Sequence, residues 1–169
     1  YTTSFVNMET KFTNLLQEQK IGNIFVLNAN TYYEENDWLF VGSTLWTDFK
    51  NQDPLVMWQA REVMNDYHYI RTPEYSKISP ELILQKHLKD RKYLEHIVRE
   101  NKDKKIFVVT HHLPSYSLCD EYYSGQNDYY YASNMDEFII DNPHIKYWVA
   151  GHTHRKKNLT IGETRCIVN

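Results

Sequence analysis

Three observations in the 169-residue sequence predict an α/β layered domain. Short apolar runs alternate along the chain with helical stripes. Two of those runs, Lys105–Thr110 and Ile145–Ala150, are nearly continuous in apolar character, the pattern of strands buried on both faces. Each is followed at once by a pair of histidines, at the strand end where loops of an open sheet converge.

The elements read as follows. Phe5, Met8, Phe12, Leu15 and Leu16 recur at three- and four-residue steps, the stripe of an amphipathic helix. Thr3 or Ser4 can cap its start, and Gly22 can end it in the left-handed conformation. Ile24–Leu27 and Trp38–Leu45 read as strands joined by the polar stretch Asn28–Asp37. A helix over about Leu55–Asn65 follows Pro54. A longer one begins at Ser79-Pro80-Glu81, where Ser caps and Pro suits the first turn, and runs to about Asn101. After the strand Lys105–Thr110, the segment Ser115–Tyr131 is rich in Tyr, Ser and Asn without periodicity and reads as a long surface excursion. A helix near Asn134–Asp141 leads into the strand Ile145–Ala150. Lys157–Val168 then reads as a hairpin turning at Gly162-Glu163.

Composition narrows the function. A formal charge of −3 argues against binding nucleic acid through bulk charge. Hydrophobic residues at 41% and aromatics at 15% exclude a disordered chain. No run of 18 apolar residues is present, so no membrane span is expected and the cytoplasm is the expected location. Cys119 and Cys166 are too few for a disulfide framework and read as ordinary reduced thiols. The chain starts at Tyr1 and stops at Asn169, directly after a strand-like run. It therefore reads as one domain over residues 1–169 that is part of a longer chain, with portions lacking at both ends.

The eight histidines fall into two groups. His68, His87, His96 and His144 stand alone, none with a partner four residues on, and read as solvated or hydrogen-bonded surface side chains. His111-His112 and His152-Thr153-His154 instead follow two buried strands directly. A shuffled chain of this composition would contain Gly-His-x-His only roughly 0.01 times. Gly151 removes a side chain where the backbone must turn, and His152 and His154, two apart in a non-helical turn, can diverge toward neighbouring cations. Three neutral imidazoles alone make a zinc site with one open position. A two-metal hydrolase site needs carboxylates as well. The carboxylates expected near these loops are Asp48, Asp120, Glu121 and Asp128, none in tight spacing with a histidine.

These residues resemble the calcineurin-like metallophosphoesterase superfamily. Val108-Val109-Thr110-His111-His112-Leu113-Pro114-Ser115 resembles its fourth block and Trp148-Val149-Ala150-Gly151-His152-Thr153-His154 its fifth. Gly42-Ser43-Thr44-Leu45-Trp46-Thr47-Asp48-Phe49 is similar to a segment of a bacterial and viral branch of predicted phosphohydrolases, and Thr164–Asn169 to that branch's last strand. The resemblance implies a two-sheet α/β sandwich flanked by helices. It also implies two divalent metal ions (Mn, Fe or Zn) and hydrolysis of a phosphoester by a hydroxide that bridges them. Carried over, His111 and His152 resemble ligands of one metal and His154 a ligand of the other. The family's Asp, His, bridging Asp and Gly-Asn-His blocks are absent from this sequence and are expected upstream of Tyr1. So is the proton donor, and the sequence as given is not expected to catalyse alone.

The remaining residues carry paired readings. His112 either contacts a phosphate oxygen or packs beside His111. Trp46 either lines the substrate cleft or belongs to the core, while Asp48 either orients a ligand or Arg165, or caps a turn. Tyr122, Tyr123, Tyr129, Tyr130 and Tyr131 make either a stacking wall for a nucleotide or an exposed lid. Lys156 and Lys157 either attract phosphate or are a solvated strand end. The expected substrate is a small phosphoester or a nucleotide. Two other functions stay open: a protein-binding scaffold on the same fold, and a mononuclear zinc hydrolase built on three histidines.

Overall fold

Aliphatic and aromatic side chains alternate along four strands so that Val41, Val108, Trp148 and Cys166 stand in register and share one buried face. The structure is a computed structural model and describes residues 5–119 and 128–169. Its strands β1 (Tyr32–Glu35), β2 (Trp38–Ser43), β3 (Lys105–Thr110), β4 (Ile145–Ala150), β5 (Lys157–Ile161) and β6 (Thr164–Val168) form a six-stranded sheet in the order β1-β2-β3-β4-β6-β5. β2, β3, β4 and β6 run parallel, and β1 and β5 close the edges as antiparallel hairpin partners. The hairpin turns use Asn36 and Gly162 at φ +56° and +58°, the left-handed region that tight turns require.

Helices flank this sheet as the α/β reading expects. α5 (Pro80–Glu100) and α7 (Asp136–Ile140) supply Leu94, Val98, Phe138 and Ile139 to the core over the buried face. The Ser79 hydroxyl accepts from the Leu82 N–H at 3.3 Å, so α5 starts where its cap and proline place it. A second cluster sits beyond the carboxyl ends of the strands. It joins Phe49, Val56, Ala60, Tyr67, Ile83 and Tyr130 from a turn at Phe49–Gln52 (α2), α3 (Pro54–Val63), α4 (Asp66–Tyr69), α5 and α6 (Asp128–Tyr131).

Three expectations change. The helix α1 (Phe5–Glu18) forms, but it ends at Lys20, whose φ is +54°, with Ile21 N–H donating to Leu16 O at 3.0 Å. Gly22 is not needed there. Of its described apolar stripe only Leu16 is buried, and Phe12 and Leu15 are 45% and 49% exposed. Thr3, Ser4 and the side chains of Phe5 and Met8 lie outside the described residues. Ile24–Leu27 joins no ladder, because the edge of β2 is taken by β1 from inside the stretch read as polar. Aromatic pairing explains that choice: Tyr33 of β1 stacks on Phe25 at 4.0 Å and lies 5.9 Å from Phe40 of β2.

Both cysteines are buried and neither forms a disulfide among the described residues. Among the described residues no helix is long and apolar enough to cross a membrane.

Candidate metal centre

Neighbouring parallel strands β2, β3 and β4 end at Ser43, Thr110 and Ala150, and their following loops meet over the sheet edge. The loops are tied to each other. His112 N–H donates to Thr44 O and Gly151 N–H to His111 O, both at 3.1 Å. The Thr110 hydroxyl accepts from Trp148 Nε1 at 3.0 Å and donates to the His112 carbonyl at 2.7 Å, which fixes the backbone that carries the first histidine pair.

The second pair is aimed by strain. Thr153 N–H donates back to Gly151 O at 2.9 Å around His152, whose φ is +68°, and His154 sits at φ +54°. Side chains in that region cost roughly 1–2 kcal/mol each and persist where surrounding bonds over-determine them. A Cβ at Gly151 would meet nothing nearer than 3.8 Å, so the sharp turn expected of Gly151 is taken by His152 instead.

The side chains form a row of rings. Trp46, His112, His152 and Tyr131 follow one another with centroids 5.0, 4.1 and 4.9 Å apart. His111 stands edge-on to both His112 and His152. His152 Nδ1 lies 3.1 Å from His111 Nε2, and one nitrogen from each of His111, His112 and His152 falls within a 4.8 Å group.

Protonation suits metal binding. Burial lowers the basicity of His111, holds His112 well below its ordinary range and brings His152 down to about 4. All three are therefore neutral at physiological pH and offer lone pairs. His112 is completely buried, and neither of its ring nitrogens has a hydrogen-bond partner among the described residues. A buried imidazole left so is costly unless another group completes it.

Comparison with known proteins identifies the family. A family profile described as "Calcineurin-like phosphoesterase" matches residues 7–156. The chain belongs to this family. An uncharacterized protein of Acanthamoeba polyphaga mimivirus is 26% identical over 161 residues, which are 89% of this chain and 55% of the relative. The chain thus spans about half the length of the curated relative it matches.

Within this phosphoesterase domain the expected site residues separate. His111, His112 and His152 come together, whereas His154 is exposed and lies outside that group. Trp46 is buried in the second cluster with its ring against His112. Asp48 does not meet Arg165. Its carboxylate accepts from Lys50 N–H (3.0 Å), the Tyr116 hydroxyl (2.6 Å) and Asn134 N–H (3.0 Å), capping the left-handed turn α2. Arg165 is exposed on β6, and its Nε donates to Asn158 Oδ1 at 3.3 Å. Lys156 is exposed, and Lys157 donates to the Cys119 carbonyl.

The tyrosine segment is not an exposed lid where it is described. Tyr130 is buried with its hydroxyl on Gln59 Oε1, and Tyr131 packs on His152. Asp120, Glu121, Tyr122, Tyr123 and the Asp128 side chain lie outside the described residues.

His87, expected at the surface, is fully buried with Nδ1 2.8 Å from the Leu45 carbonyl. His144 Nε2 bonds the Val98 carbonyl at 2.9 Å, while His68 and His96 are exposed. Sequence reasoning missed His87 and Asp90. The signal was there: both fall in the helical stripe Ile83, His87, Asp90, Leu94, Val98, where polar residues are out of place.

Proposed function

We propose that the protein containing this chain hydrolyses phosphoesters with divalent cations held at the histidine cluster. The observation that carries this reading is the 3.1 Å approach of His111 Nε2 and His152 Nδ1. Two imidazoles sharing one cation at bonds of about 2.1 Å place their nitrogens about 3.0–3.4 Å apart. The ring nitrogens of buried His112, which have no partner among the described residues, support the same fit, because a cation is what such a donor set lacks.

In this reading His111 and His152 hold one cation with His112 in reach, and His154 turns toward a second. Carboxylate and amide ligands from beyond this chain complete the pair. Mn, Fe and Zn each suit that mixture of imidazole and carboxylate. Bound divalent cations lower the pKa of coordinated water toward neutrality and offset charge on a transferred phosphoryl group. The chain's own residues orient and shield. Thr110 and Gly151 fix the two histidine loops, and the ring row of Trp46, His112, His152 and Tyr131 walls off one side. The substrate is a phosphomonoester or phosphodiester of a small molecule or nucleotide.

The test, run on the full-length protein that contains this chain, is Mn²⁺-dependent release of nitrophenol from mono- and bis-nitrophenyl phosphate, abolished in His154→Ala. Absence of turnover with every divalent metal overturns the proposal. A mononuclear three-histidine centre is the second reading, favoured by the grouping of His111, His112 and His152 without His154. It predicts one metal per chain where the first predicts two.

A further inference from the structure

Leu45 and Trp46 leave β2 with φ +65° and +53°, two consecutive side chains in the left-handed region. The peptide groups of Leu45 are gripped from α5. Its N–H donates to Asp90 Oδ2 at 2.9 Å, and its carbonyl lies 2.8 Å from His87 Nδ1. A carbonyl oxygen only accepts, so His87 carries its proton on Nδ1. Its Nε2 is then a buried lone pair without a partner among the described residues.

The grip is made by an unusual pair. His87 and Asp90 are three apart on one face of α5, inside a stripe otherwise filled by Ile83, Leu94 and Val98. Burial lowers the basicity of His87 and raises the Asp90 carboxyl, so both sit where an aliphatic side chain would be easier to place. The segment they hold touches His112 twice: Thr44 O accepts from His112 N–H at 3.1 Å, and the Trp46 ring lies 5.0 Å from the His112 ring.

We infer that His87 and Asp90 are positioning residues, which pin Leu45 in its left-handed turn and thereby set the His112 ring in the imidazole cluster. The inference rests on the cation reading only for its consequence, that releasing Leu45 weakens metal binding. Groups that orient ligating histidines are worth about ten- to a hundredfold in metal affinity.

The experiment compares Asp90→Leu, His87→Leu and Asp90→Asn with the unaltered protein. The leucine variants fill the buried stripe but release Leu45, whereas Asn keeps an oxygen acceptor for its N–H. Val98→Ala, farther along α5, controls for lost core packing. Two quantities are read: the His112 ring resonances in metal-free protein, displaced by the Trp46 ring current, and the affinity for Co²⁺.

Asp90→Leu and His87→Leu are expected to move the His112 resonances toward those of a free imidazole and to weaken Co²⁺ binding about tenfold or more. Asp90→Asn restores both. Val98→Ala lowers the melting temperature and moves neither. Wild-type His112 resonances in either folded leucine variant, or an equal displacement in Val98→Ala, overturn the inference. If the unaltered protein takes up no Co²⁺, the cation reading falls, and the His112 resonances still decide the positioning role.

Discussion

His152 Nδ1 stands 3.1 Å from His111 Nε2, although the two residues are 41 apart in sequence and leave different strands. Nothing local brings them together. The parallel pairing of β3 with β4 puts their carboxyl ends side by side, and the left-handed turn at His152 swings its ring back over His111. His112 stacks on His152 at 4.1 Å and completes a group of three neutral imidazoles. Between neutral rings the 3.1 Å contact is an N–H···N hydrogen bond, whereas His112 has no such partner among the described residues, and a cation satisfies all three rings where that bond satisfies two.

Stability of the metal-free protein should fall in mild acid. Burial keeps His87 and His112 neutral below their ordinary range and brings His152 down to about 4, while the shift of the exposed His111 is screened by solvent and adds little. The unfolded chain binds protons below about pH 6.5 that the folded chain refuses. Folded-state pKa values are depressed, so their stability is fully present above about 6.5 and drains as pH falls toward 4. Each fully buried imidazole contributes about 1.4 kcal/mol per pH unit across its window. Asp90, raised by burial, opposes this at the acid end as a single group. Melting temperatures in chelator at pH 7.5, 6.0 and 5.0 should descend in steps; a flat series contradicts the burial argument.

Gly42→Ala should destabilise the fold. A Cβ there would stand 2.7 Å from the Val109 carbonyl oxygen and 3.0 Å from the Leu27 Cβ, and the carbonyl belongs to a paired strand that cannot yield cheaply. Overpacking of this kind costs roughly 1–3 kcal/mol. Urea unfolding of the variant measures it, and an unchanged midpoint would show that the strands part more easily than the register implies.

Asp48→Ala should loosen the turn α2. Removing the carboxylate strands three donors at once, Lys50 N–H, Asn134 N–H and the Tyr116 hydroxyl. Hydrogen bonds to a charged acceptor are worth about 1.5–3 kcal/mol each, with shared rather than additive losses in one cluster. A total loss of roughly 2–4 kcal/mol is expected, and Asp48→Asn should lose distinctly less because one oxygen remains. Equal midpoints for the two variants in urea would show that the turn does not depend on this cap.

Where the pattern is local, the fold is legible in the sequence. Ser79-Pro80 places the start of α5, the apolar runs place β3 and β4, and Gly162 places the last hairpin, because each depends on neighbours in sequence. β1 escaped notice because its strand character comes from Tyr33 meeting Phe25 and Phe40, partners that only the folded sheet supplies. The histidine loops were legible as two strand-end motifs. Burial of His87 was legible in its place in the stripe Ile83, His87, Asp90, Leu94 and Val98, but its carbonyl partner at Leu45 was not. Asp48 caps a turn, one of its two readings, but two of its donors, Tyr116 and Asn134, come from segments distant in sequence that local pattern does not name.

Direct titration with Co²⁺ or Zn²⁺ tests the central claim, by calorimetry and by the ligand-field bands of cobalt. The protein should take up metal saturably, His111→Ala and His152→Ala should each bind more than tenfold more weakly, and exposed His68→Ala should bind as the parent does. No uptake by the unaltered protein, or parental affinity in both site variants, would contradict the account.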